Sequence, residues 1–296
     1  MAEKRRRRRP ERDDATGDLF PDLPLPPPSE DLVEMKGGIR PVWTEQKAQL
    51  IARYLKLFTF VTKHGTYIDG FAGRQNADAV DGWAVELVLR NEPRWIKRFY
   101  LCDSDPTQVA ALRELAGQQP APQKRADVRR IEVIPGDFND AVHEVLRTRR
   151  LDRATFALLD QRTFECKWAT VQALAAFKTV PTKIELFYFL PIGWLDRALH
   201  ATTKNTHEIE SWWGGSDWRG LIDMQHHEKA LAFRHRFFEL GYKHVWPFPI
   251  WDRQAGNRIM FYMILASDHP EAPKLMWRAY RQGVHGDQGW DQTGLF

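Results

Sequence analysis

The chain has 296 residues, 43% of them hydrophobic and 28% charged, with a formal net charge of +4, which suffices for one large core or two small ones. No apolar run reaches the roughly 18–20 residues of a membrane-crossing helix, and the early arginines are not followed by the apolar stretch of a secretory leader. Its two cysteines, Cys102 and Cys166, exclude a disulfide scaffold and a cysteine-only metal site, and they fit a reducing compartment, with the cytoplasm as the expected location.

Met1–Lys36 passes from a basic block, Arg5–Arg9, through an acidic one to a proline cluster, Pro26–Pro28, without periodicity. Residues 1–38 are therefore expected to form a disordered tail. Eight Lys/Arg against nine Asp/Glu in residues 1–36 leave the positive excess on the rest of the chain, a bias that permits nucleic-acid contact without demanding it. The arginine run reads either as a solvated block or as a phosphate-binding or addressing segment. Residues 39–282 are expected to form one domain, with 283–296 as a C-terminal tail.

From Trp43, "WTEQKAQLIARYLKLFTFVTKHG" sets Leu50, Ile51, Tyr54, Leu55 and Phe58 at helical spacing, with Thr44 as the expected N-cap and Gly65 as the stop. Strand-like and helix-like runs then alternate. The expected strands are Thr66–Asp69, Arg98–Asp103, Ile131–Asp137, Thr155–Asp160, Thr182–Leu190, His244–Ile250 and Arg258–Ser267. Helical runs separate the first five, and the last two follow each other directly. This order predicts an α/β fold: a doubly wound, mostly parallel, seven-stranded Rossmann-like sheet closed by a C-terminal antiparallel hairpin. A helical insertion over about 191–241, rich in Trp and His, is expected to cover a ligand cleft or a partner.

Ligands of open parallel sheets bind beyond the carboxyl ends of the strands. Four expected strands end in aspartate: Asp69, Asp103, Asp137 and Asp160. Helix capping accounts for any one of them, but four in succession, the first followed by "GFAG", point to a site. Gly70 and Gly73 allow a tight turn, with backbone angles other residues resist, and close approach of a ligand to the N–H groups. Asp103 is placed to accept from the two hydroxyls of a ribose. Asp137 is placed to accept from an adenine amino group, with Phe138 packing on the ring.

This pattern, with a first motif "YIDGFAG" of the form Asp-x-Phe-Ala-Gly, resembles that of class I S-adenosylmethionine-dependent methyltransferases, and together with "LLDQRTFECKW", "KIELFYFL", "LDRAL" and "RIMFYMILASDHPEAPKLMWRAYR" it resembles more closely the three-Cys-motif partner protein family, TcmP. The resemblance covers roughly Trp43–Gln282. It implies a methyltransferase-like Rossmann fold, S-adenosylmethionine as cofactor, and a three-Cys-motif protein as partner. It also implies Asp69, Gly70, Phe71 and Gly73 at the methionine end, Asp103 at the ribose, and Asp137 with Phe138 at the adenine. Gln75 stands where the methyltransferase pattern prefers glycine. The fourth motif of amino-methyltransferases, Asp/Asn-Pro-Pro-Tyr, is replaced here by "DQRTF": Asp160 is kept, and Gln161 and Arg162 stand for the prolines. Asp160 with Gln161 is expected to orient an acceptor, with Phe164 or Trp168 stacking on it, and Arg162 to orient it or to bind a phosphate or carboxylate. Methyl transfer, with nucleic acid as one expected acceptor, and a non-catalytic partner role are both open on this reading.

Cys166 reads as a nucleophile beside Lys167 or, more simply, as a small buried residue. His226, His227 and His235 share a helix without metal-ligand spacing. Trp212, Trp213 and Trp218 suit either stacking on bases or core packing.

Overall fold

The computed structural model describes residues 19–36, 42–74, 82–122, 128–149, 151, 153–177, 182–201, 206–254 and 256–282. Residues 19–36 fall within the stretch expected to be a disordered tail, and they are ordered. Helix α1 (Ser29–Val33) buries Leu32 and Val33 against the late strands. The Tyr262 hydroxyl donates to the Val33 carbonyl at 3.0 Å and Trp246 Nε1 to the Pro27 carbonyl at 3.3 Å. Charge and proline content obscured the apolar side chains Phe20, Leu23, Leu32 and Val33, which have a surface to cover.

A two-residue strand β1 (Val42–Trp43) and a 3-10 turn (Thr44–Gln46) precede helix α2 (Lys47–Thr62). Thr44 is thus not the N-cap of α2. It opens the 3-10 turn, which Gln46 fastens by accepting from the Trp43 N–H at 3.2 Å. The helix stops at Lys63, left-handed at φ 57°, and Gly65 begins the next strand. The five apolar residues at helical spacing are all buried.

The alternation expected from the sequence follows: β2 (Gly65–Asp69), α3 (Ala84–Arg90), β3 (Ile96–Asp103), α4 (Pro106–Gly117), β4 (Arg130–Pro135), α5 (Phe138–Thr148), β5 (Thr155–Leu159), α6 (Trp168–Ala176) and β6 (Glu185–Leu190). The insertion holds α7 (Ile192–Ala201), α8 (His207–Trp213), a 3-10 turn (Ser216–Leu221) and α9 (His226–Glu239). Then come β7 (His244–Asp252), β8 (Arg258–Ser267) and α10 (Ala272–Gln282).

The sheet has eight strands rather than seven, in the order β1-β7-β8-β6-β5-β2-β3-β4. The addition is β1, which pairs parallel with β7 through Val42 and Trp43 and, at two residues, is too short to leave a period in the sequence. Among the described strands only β8 runs antiparallel, between β6 and β7. Among the described residues β1 pairs only with Ile250 and Trp251 of β7, so none of them meets Pro247 or Pro249 on the outer side of that strand, where a proline costs no ladder hydrogen bond.

Two cores lie on opposite faces, divided by the strands' period of two. Leu186, Tyr188 and Leu190 of β6 join one core with α5, α6 and the insertion. Phe187 and Phe189 join the other with α2, α3 and α10. From β2 the chain winds to β3 and β4 on one side and then to β5 and β6 on the other. The strand order therefore reverses between β2 and β5, and the crevice outside their carboxyl ends is where this topology leaves room for a ligand.

Candidate functional site

A cleft of about 450 Å³ opens at this reversal point, within the range of small-molecule sites. It is bordered by the segments that follow β2, β3, β4 and β5 and by α8 of the insertion. Of the residues expected at a site, Gly70, Phe71, Gly73, Asp103, Asp137, Phe138, Asp160 and Arg162 line it. Asp69 and Gln161 do not.

Asp103 ends β3, and both of its oxygens accept backbone N–H groups: Oδ2 from Gly73 at 2.7 Å and Oδ1 from Asp105 at 2.9 Å. A carboxylate offers about four lone-pair sites, so it keeps capacity for two hydroxyl donors. These bonds explain the glycine turn. A methyl group at Gly73 would stand 2.4 Å from Asp103 Oδ2, and one at Gly70 would stand 2.5 Å from Phe138 Cδ1. Neither glycine is in the left-handed region, which here belongs to Gly136 at φ 125°. The two glycines are required for space rather than for unusual backbone angles, and what approaches them is the chain's own carboxylate and ring.

Asp137 follows β4 as the N-cap of α5: its Oδ1 accepts from Asn139 N at 2.8 Å and Asn139 Nδ2 at 2.7 Å. The capping role holds for Asp137, yet the exposed carboxylate still borders the cleft. Phe138 is buried beneath Gly70, so the half-exposed aromatic of this wall is Phe71, which meets Phe138 edge-on. Asp69 lies behind the turn, 2% exposed, accepting from the Tyr67 hydroxyl at 2.7 Å and Phe71 N at 3.2 Å. Burial raises its carboxyl to about 7 against the lowering effect of those bonds.

The segment after β5 departs furthest from expectation. Both Asp160 oxygens meet Lys47 Nζ at 2.8 Å, and the pair is buried, with the ammonium 4.7 Å from the Phe189 ring centroid. Lys47 was not singled out in the sequence, because a lysine in the first turn of an amphipathic helix reads as solvated. Gln161 is fully buried: its Nε2 donates to the Phe189 carbonyl at 3.2 Å and its Oε1 accepts from Cys166 N at 3.0 Å. It shapes the loop and offers nothing to the cleft. Arg162 is exposed and spans the crevice, donating from Nη2 to the Arg74 carbonyl at 3.0 Å.

The insertion supplies His207, Glu208 and Ser211 to the cleft wall, all missed in the sequence because α8 is short and has no distinctive spacing. Trp212, Trp213 and Trp218 are buried in the core, which removes them from base stacking. Trp168 is buried as well, and Phe164 packs against Trp194 and Trp212. Cys102 and Cys166 are buried thiols, the first pushed up to about 12 and the second raised further, chiefly by desolvation. That is the environment of inert cysteines. Gln75, Arg5–Arg9 and residues 283–296 lie outside the described residues. Among the described residues, no helix is long and apolar enough to cross a membrane.

No family model and no curated protein matches the chain, so the resemblance to three-Cys-motif partner proteins stands on the quoted motifs alone. Solved structures that it resembles include the methyltransferase domain of bacterial CtHen1-C, 14% identical over 75% of this chain and 97% of that one, with a TM-score of 0.42. A DUF574-family protein from Streptomyces avermitilis is 12% identical over 81% and 88%, with a TM-score of 0.41. A DUF519-family protein from Legionella pneumophila is 10% identical over 84% and 91%, also at 0.41. A likeness of this degree decides neither activity nor cofactor.

Proposed function

We propose that the cleft binds S-adenosylmethionine and that the chain is a methyltransferase, with nucleic acid as the expected class of acceptor. The observation that carries this reading is Asp103, anchored by the Gly73 and Asp105 amides at the carboxyl end of β3 and bordering the cleft at the reversal point. The fit is chemical as well as spatial. Asp103, Asp105 and Asp137 make one wall acidic, which suits a cationic ligand rich in hydroxyl and amino donors. Asp103 would hold the ribose hydroxyls, Asp137 the adenine amino group, and the Gly70–Gly73 turn the amino-acid end. The bound cofactor supplies a methyl group on positively charged sulfur. The chain's part is to fix that group and exclude water around it. Fold alone would not carry this reading, since one fold hosts many reactions.

A second reading has its own observation. Gln161 is buried away from the cleft, and Asp160, which borders it, spends both oxygens on Lys47, so neither is a ready hook for an acceptor amine. This favours a non-catalytic, methyltransferase-fold partner of a three-Cys-motif protein. Incubation with methyl-labelled S-adenosylmethionine and DNA or RNA separates the two. Label in the nucleic acid supports the enzyme; bound cofactor without label, alone and with the three-Cys-motif protein added, supports the partner.

A further inference from the structure

We propose that Arg162 is the clamp for the carboxylate of the cofactor's amino-acid moiety, an inference that rests on the cofactor reading above. The cleft's wall after β3 and β4 carries Asp103, Asp105 and Asp137, and an anion placed there meets repulsion. A ligand that ends in a carboxylate must direct it toward a cation, and the cleft offers Arg162 and Lys167. Only Arg162 is bonded to the glycine-turn side. Its Nη2 reaches the carbonyl of Arg74, the residue after Gly73, at 3.0 Å, and among the described residues this is the only hydrogen bond of its guanidinium. A planar guanidinium with five donors can exchange one carbonyl for a bidentate carboxylate without leaving its place.

The surrounding loop is built to hold that side chain there. Asp160 is fixed by Lys47 on one side of Arg162. Gln161 pins the loop from beneath through Phe189 and Cys166. The Arg162 N–H itself donates to Glu165 Oε2 at 2.7 Å. Across the crevice, Arg74 N is held by Gln108 Oε1 at 2.8 Å, so both ends of the bridge are braced. Residues 160 and 161, which by sequence should handle the acceptor, serve instead to present residue 162.

The test is calorimetric titration of the full chain with two probes, S-adenosylhomocysteine, which carries the carboxylate, and 5′-methylthioadenosine, which lacks it. Arg162→Gln is expected to weaken S-adenosylhomocysteine binding roughly 10- to 100-fold, the loss typical of a charge-assisted pair, while leaving 5′-methylthioadenosine within about two-fold. Arg162→Lys should restore part of the difference. Equal effects on both probes, or none, overturn the clamp while the cofactor reading stands. Binding of neither probe by the folded wild-type chain overturns both.

Discussion

Asp69 gives a pH-linked prediction that also separates scaffold from ligand contact. Its carboxyl is held near 7 in the fold, against 3.8 ordinarily, chiefly because it is desolvated. Over that interval the unfolded chain has released the proton and the folded chain has not. The unfolded state binds fewer protons, so stability falls as pH rises, by about 1.4 kcal/mol per pH unit for this one group. The contribution is complete below 3.8 and lost by about 7, roughly 4 kcal/mol in all. Asp69→Asn removes the titrating group while keeping an oxygen for the Tyr67 hydroxyl or the Phe71 amide. Urea unfolding at pH 5, 6 and 7 should then show the stability difference between wild type and variant drifting in the variant's favour by about 1.4 kcal/mol between pH 5 and 6 and by less between pH 6 and 7, where the folded carboxyl itself begins to titrate. Because Asp69 sits behind the cleft, the variant should also keep most of its affinity for S-adenosylhomocysteine. Parallel pH profiles for the two proteins would refute a buried, structural carboxyl whose pKa is raised by desolvation.

Other perturbations have equally definite outcomes. Gly70→Ala drives a methyl group into the Phe138 ring and should cost about 1–3 kcal/mol in thermal or chemical denaturation. Lys47→Ala leaves the Asp160 carboxylate buried without its cation, and a loss of about 3–5 kcal/mol is expected. Pairing Lys47→Met with Asp160→Leu should recover most of it, and denaturant midpoints would show whether it does. Cys102 and Cys166 should resist a thiol reagent in the folded chain and react together on unfolding, since both are buried with raised thiol pKa values.

The architecture was legible because its signals are periodic. The run after Glu185, Leu186–Leu190, reads as a strand because both of its faces are buried and apolar. What escaped was short or dispersed. Strand β1 is two residues long, and α1 hides Leu32 and Val33 among charges and prolines. At the candidate site, the recurrence of Asp at strand ends points to one edge of the sheet, where three of the four line one cleft. It did not distinguish their roles, because an aspartate that caps a helix, one that braces a turn and one that is buried behind the turn look alike in a sequence. Lys47 illustrates the cause: it is separated from Asp160 by 113 positions, and nothing in the first turn of α2 announces that its ammonium is buried.

The most direct test of the central claim is calorimetric titration with S-adenosylhomocysteine of the wild-type chain and of Asp103→Ala, each shown to be folded by its thermal transition. The cofactor reading predicts saturable one-site binding by the wild type and a loss of at least about 10-fold in the variant, as expected for removing a charged hydrogen-bond acceptor. A folded wild-type chain that does not bind, or an Asp103→Ala variant that binds equally well, would contradict it.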